Sequence, residues 1–152
     1  MQETDLLRKV PMFAKLDASK LKLLAFTSEM VAYDDGDEIF HEGDSADCAY
    51  LITSGEVNVM TETDTGLVVA STLRKNQLFG ELALLNNAPR NATLVAHGTI
   101  TVMKITGDMF LRLLSENSDM ALDVMRQLSD KLAKSHRQVE LLQQDLSRYT
   151  GT

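Results

Sequence analysis

Arg90 and Glu81 carry the chemistry that this sequence offers. They lie in Leu78-Phe79-Gly80-Glu81-Leu82-Ala83-Leu84-Leu85-Asn86-Asn87-Ala88-Pro89-Arg90-Asn91-Ala92-Thr93, where every other residue is apolar, small or uncharged. No other Lys or Arg stands between Lys75 and Lys104, so a single positive charge is set in an uncharged or acidic surround. A guanidinium fork matches two oxygens of a phosphate. The free amides of a tight turn entering a short helix hold the same anion. Glu81, an acceptor when ionised, repels a phosphate at close range and must face another part of the ligand, such as a sugar hydroxyl. A ligand with one phosphate and a nearby hydroxyl satisfies both residues.

The flanking sequence supplies the elements that must position this stretch. Residues 2–9 and 17–27 have the spacing of short amphipathic helices. Pro11 breaks the first, and Asp17 is placed to cap the second, with Leu21, Leu24 and Ala25 on its buried side. From Met30 to Ile105 the texture turns to short extended pieces. Val31 and Tyr33, Ile39 and His41, Tyr50 and Ile52, and Val57 and Val59 alternate with the period of two of half-buried strands. The breaks between them are Asp34-Asp35-Gly36-Asp37, Glu42-Gly43-Asp44, Ser54-Gly55-Glu56 and Asp64-Thr65-Gly66, all turn chemistry. Val68-Val69, Thr93-Leu94-Val95-Ala96 and Ile100-Thr101-Val102-Met103 add further strands. Many short strands at this spacing predict a sandwich or barrel of the jelly-roll kind. Alternating strand and helix units are missing, which argues against a doubly wound sheet.

After Gly107 the helical period returns. Met109, Phe110, Leu113 and Leu114 mark a short helix, and Ser118-Asp119 opens a long one with an acceptor at its cap and a negative charge in its first turn. From there Met125, Leu128, Leu132, Ser135, Val139, Leu142, Leu146 and Tyr149 recur in steps of three and four, a coiled-coil seam. A helix of about thirty residues extends roughly 45 Å, more than so small a domain needs for its own core. The narrow stripe therefore predicts a homodimer through this helix rather than packing on the parent sheet alone.

Composition bounds the rest. With 152 residues, 44% of them apolar, the chain builds one real core and hardly two. Its formal charge is −7, and between Ala25 and Leu73 there are eleven Asp and Glu against no Lys or Arg. Such a face repels nucleic acid and anionic membrane alike. The single cysteine, Cys48, excludes an internal disulfide, fits a reducing cytoplasm and is expected as a half-buried core thiol. Glu3 and Asp5 without an apolar run give no secretory-signal pattern, and no stretch reaches membrane-spanning length. A cytoplasmic location is expected.

Phe79-Gly80-Glu81-Leu82-Ala83-Leu84-Leu85 followed by Pro89-Arg90-Asn91-Ala92-Thr93 resembles the phosphate-binding cassette of the cyclic nucleotide-binding domain family, which includes the bacterial cAMP receptor protein and protein kinase A regulatory subunits. The resemblance covers nearly the whole chain. It implies one domain over 1–152: amino-terminal helices in 1–29, an eight-stranded antiparallel jelly roll in 30–106 with the cassette at 79–93, and helices in 107–150. Carried over by motif, Arg90 pairs with exocyclic phosphate oxygens and Glu81 accepts from the ribose 2′-hydroxyl. Backbone amides near Ala83 and Asn91 complete the anion site, and Gly80 lets the chain approach the ribose. Small Ala83 and Ala92 leave room for entry, while Phe79 and Leu82 complete the cassette. Asn91 departs from the small residue common there. An ungapped alignment with the bacterial receptor from Arg90 onward places Ser135 at the base of the nucleotide; a register role in the seam is the alternative.

The ligand implied is cAMP, with cGMP second, and the role is that of a regulatory receptor with a possible protein effector, not an enzyme. No cofactor is implied. His41, His97 and His136 lack metal-ligand spacing with Cys48 or one another, and no serine has the setting of an activated nucleophile. Only three residues follow Tyr149, too few for a DNA-reading unit. The chain is expected to be a stand-alone receptor or the regulatory domain of a larger transcription factor, channel or kinase. A ligand-free jelly-roll dimerisation module is the competing expectation.

Overall fold

The computed structural model describes residues 2–150. Helix α1 (Gln2–Arg8) is followed by α2 (Ala18–Thr27), which starts where Asp17 accepts a hydrogen bond from the Lys20 amide at 3.0 Å. Leu21 and Leu24 form its buried side. The strands are β1 (Glu29–Tyr33), β2 (Glu38–Phe40), β3 (Cys48–Thr63), β4 (Gly66–Leu73), β5 (Leu78–Phe79) and β6 (Thr93–Thr106), with α3 (Glu81–Asn86) between the last two. Helix α4 (Gly107–Glu116) is capped by Thr106, and α5 (Ser118–Thr150) ends the described chain.

All strand pairs are antiparallel. The sheet runs β1-β6-β3-β4, with β2 also on β6 and β5 on β3. An antiparallel sheet flanked by helices is the expected class. Among the described residues the strands number six where the resemblance implies eight, because β3 runs on through Ser54-Gly55-Glu56 and β6 joins the extended pieces at 93–96 and 100–103. Ser54-Gly55-Glu56 does not end a strand: Gly55 sits at φ +89° inside β3, and the register against β6 shifts on either side of Ser54. A Cβ on Gly55 would lie 2.7 Å from Ile100 Cγ2 and 2.8 Å from the Thr99 carbonyl oxygen. Turn chemistry here makes a bulge that bends a long strand, as glycine does where another backbone comes close.

A second bulge changes β2. Glu38 pairs with Val95 and Phe40 with Leu94, two steps on one strand against one on the other. Neighbouring residues of a regular strand face opposite sides, yet Ile39 and Phe40 both pack on the sheet core. The expected inward alternation of Ile39 and His41 is thereby overturned: His41 falls beyond the strand and is exposed, its Nδ1 2.9 Å from Glu38 Oε1.

Two apolar clusters result. One joins Leu7, Phe13, Leu21 and Leu24 of the amino-terminal segment to Phe110, Leu113, Met120 and Val124 of α4 and α5, across Leu51, Met103 and Ile105 of the sheet. The other lies within the sheet and includes Ile52, Val57, Phe79, Ile100 and Val102. Beyond Val124, α5 leaves these cores. Leu132 is 73% exposed, and Met125, Leu128, Val139, Leu142 and Leu146 are exposed as well. Tyr149, the last seam position, lies outside the residues whose side chains are described.

Candidate functional site

The cassette begins where β5 ends. Phe79 is buried, and Gly80 takes φ +81° as the residue entering α3. A Cβ on Gly80 would sit 2.7 Å from Arg90 Nη1 and 3.5 Å from Phe40 Cε2. Glycine is needed here twice, for its left-handed backbone and for the closeness of the guanidinium. Glu81, Leu82 and Ala83 follow on the half-buried α3, which ends at Asn87 in the left-handed region.

Arg90 is only 4% exposed. Its Nη1 donates to the Gly80 carbonyl at 2.6 Å and its Nη2 to the Cys48 carbonyl at 2.7 Å, with Cys48 Sγ at 3.8 Å. The guanidinium carbon lies 4.2 Å from the centre of the Phe40 ring and 5.8 Å from that of Tyr50. Its backbone is held too: the Arg90 amide donates to the Asp44 carbonyl and the Gly43 amide to the Arg90 carbonyl, both at 2.8 Å. Among the described residues Arg90 forms no ion pair. Its Nε–H is buried without a hydrogen-bond partner, and so is Glu81 Oε2.

Burial pushes the Glu81 carboxyl up from its ordinary range; a hydrogen bond from its own backbone and the charges of Lys131 and Arg90 act in the opposite direction. Burial likewise raises the Cys48 thiol and the Tyr50 phenol. A raised thiol is a poor nucleophile, and Cys48 is fully buried beside Arg90 rather than half-buried as expected.

The structure brings Phe79, Gly80, Glu81 and Arg90 into one cluster. Leu82 and Ala83 continue from it along α3, and Ala92 packs on the sheet core, while Asn91 is exposed. Ser135 is exposed on α5, where an open hollow of about 600 Å³ is lined by Ser129, Leu132, Ala133, Ser135, His136 and Val139, with no cassette residue among them. A second cavity of about 340 Å³ borders Ala83 and Leu84 between α3 and α4. Asp47 and Asp108 also line it, so it repels a phosphate. Among the described residues, no group of three His, Cys, Asp or Glu is placed to hold a metal, and no helix is long and apolar enough to cross a membrane.

Sequence reasoning missed Phe40, Tyr50 and the Cys48 carbonyl, which meet Arg90 from β2 and β3, and Lys131, whose charge acts on Glu81. Lys131 alone carried a signal, since it lies one helical turn before Ser135.

Fold and site define an antiparallel β module holding a buried cation and a buried carboxylate, each with an unused hydrogen-bonding atom. The family described as the cyclic nucleotide-binding domain matches residues 30–117, more than half of the chain, and the chain belongs to this family. It is 36% identical over 124 residues to a cAMP-dependent protein kinase regulatory subunit of Mucor circinelloides, covering 82% of this chain and 28% of that protein. The chain thus spans little more than a quarter of that relative's length. Among solved structures, the regulatory domain of Toxoplasma gondii PKA with cAMP superposes with a TM-score of 0.68 at 30% identity, over 73% of this chain and 42% of that one. The sensor domain of the transcriptional regulator DNR from Pseudomonas aeruginosa gives 0.79 at 25% identity, over 86% and 89%.

Proposed function

We propose that this chain is a receptor module for a cyclic mononucleotide, cAMP before cGMP, and that it regulates a partner through α5 rather than catalysing a reaction. One observation carries this: Arg90 Nε and Glu81 Oε2 are both buried, both without a partner, and belong to one cassette. An unmade buried hydrogen bond costs about 1–3 kcal/mol, more for a charged group, so a ligand with an anionic acceptor for one and a hydroxyl donor for the other is favoured. A cyclic ribonucleotide has both. Arg90 takes the exocyclic phosphate oxygens and Glu81 the ribose 2′-hydroxyl, while amides near Ala83 and Asn91 add to the anion site. Ala83 and Ala92 leave room beside it. The Mucor and Toxoplasma relatives, named for cAMP, support the order of preference. Titration calorimetry tests it: binding of cAMP tighter than cGMP is expected, and no heat from either at millimolar concentration defeats the receptor reading in favour of a ligand-free module.

The exposed stripe of α5 supports a parallel homodimer, with Ser135 turned to the base. Each Leu covered in the seam contributes about 1.5–3 kcal/mol. Changing Leu132 and Leu142 together to Asp is expected to give a monomer in analytical ultracentrifugation, with the sheet folded and nucleotide affinity reduced. Wild-type protein that sediments as a monomer at tens of micromolar, with and without cAMP, overturns the dimer.

A further inference from the structure

We infer that Phe40 is a positioning residue for ligand binding: its ring holds the Arg90 guanidinium in the pose that meets the phosphate before any ligand arrives. The inference rests on the reading of Arg90 as the phosphate partner and extends it to a residue outside the cassette.

A long arginine side chain has many rotamers, and fixing one on binding lowers affinity unless the free protein has already fixed it. Carboxylates commonly orient arginines, but a carboxylate consumes N–H donors and neutralises the charge that a phosphate needs. Among the described residues no acid pairs with Arg90. The Phe40 ring supports one face of the guanidinium where an acid would otherwise stand, with the guanidinium carbon 4.2 Å from its centre. An aromatic face attracts a cation through its quadrupole and takes no in-plane N–H. The Gly80 and Cys48 carbonyls fix Nη1 and Nη2, and Nε–H stays buried and open.

The fold places Phe40 for this. The β2 bulge turns its side chain inward beside Ile39. Behind it, Tyr50 and Phe79 stack at 5.0 Å with planes 11° apart, and the Phe40 ring lies 5.8 and 6.1 Å from them. The ring thus has a rigid backing. The loop after β2 is tied to the Arg90 backbone through Gly43 and Asp44, so ring and arginine are held in one frame.

The test compares Phe40→Leu and Phe40→Tyr in the full chain. Leu keeps apolar bulk but loses the quadrupole; Tyr keeps the ring. Phe40→Leu is expected to weaken cAMP binding about fivefold to tenfold, with Phe40→Tyr near wild type and all three still folded cooperatively at the titration temperature. In the ligand-free wild type, the NMR signal of the Arg90 Nε proton is expected to be displaced by the ring current of Phe40. That displacement is lost in Phe40→Leu and kept in Phe40→Tyr, a change that mere loosening of the core does not produce. Unchanged affinity in Phe40→Leu, or an Arg90 signal indifferent to the substitution, overturns the inference. Wild-type protein that binds neither nucleotide overturns the receptor reading instead, and the Arg90 signal still decides whether Phe40 holds the guanidinium.

Discussion

The two apolar clusters differ in what they leave unfinished. The helical one is built from Leu7, Phe13, Leu21, Leu24, Phe110 and Met120, apolar side chains without a nitrogen, an oxygen or a charge. The sheet cluster has at its edge the Phe40, Tyr50 and Phe79 rings, a buried guanidinium and a thiol, with Arg90 Nε and Glu81 Oε2 unsatisfied nearby. The first contributes stability. The second gives up some stability, which in the proposed receptor a ligand supplies. The cassette belongs to both: Leu84 and Leu85 pack on the helical cluster, whereas Phe79 and Ala92 pack on the sheet cluster. A ligand that moves α3 therefore acts on both cores together.

Phe110→Ala should break the helical side of this contrast, with a loss of about 3–5 kcal/mol in urea unfolding, the scale for deleting a fully buried Phe. Affinity should change little at temperatures where the variant stays folded; a large affinity change with small destabilisation would dissolve the division between the clusters. Arg90→Ala should do the reverse. Losing one partner of a buried charged hydrogen bond costs at least about 2 kcal/mol of affinity in titration calorimetry, and a fall in stability without loss of binding would make Arg90 a purely structural residue.

The smallest effect sharpens the contrast most. Burial raises the Glu81 carboxyl in the folded protein above its unfolded value of 4.5. The folded state then binds more protons between those two values, so this group's contribution to stability falls as pH rises through that window. Glu81→Gln removes the buried charge. The ligand-free variant should melt slightly higher at neutral pH, yet bind the ribonucleotide more weakly, with the 2′-deoxy analogue hardly affected. Equal weakening of both analogues would detach Glu81 from the sugar hydroxyl.

The family and the antiparallel class with flanking helices were legible because their signals are local: a residue string, periods of two and of 3.6, and Asp17 before a helix. What failed was non-local. Ser54-Gly55-Glu56 reads as a turn from its own composition, and only Ile100 and Thr99 on the neighbouring strand make it a bulge. Phe40 has the face of an outward residue until the register slip against Leu94 and Val95 turns it in. Cys48 reads as an inert core thiol, and indeed its contribution to Arg90 is a backbone carbonyl, which no side-chain pattern encodes. Lys131 and Glu81 are fifty residues apart in sequence and meet electrostatically only because α5 passes the cassette.

Helix α5 is unbroken from buried Met120 and Val124 to exposed Leu146. That makes it a lever with its fulcrum in the helical core. The span from Val124 to Leu146 is about 33 Å at 1.5 Å per residue, so a tilt of about 5° at the base carries the far end through about 3 Å. In the proposed homodimer, displacements too small to break a core contact at Met120 become, at the tip, large enough to change which side chains of the second copy interlock. The mechanical gain comes from length alone.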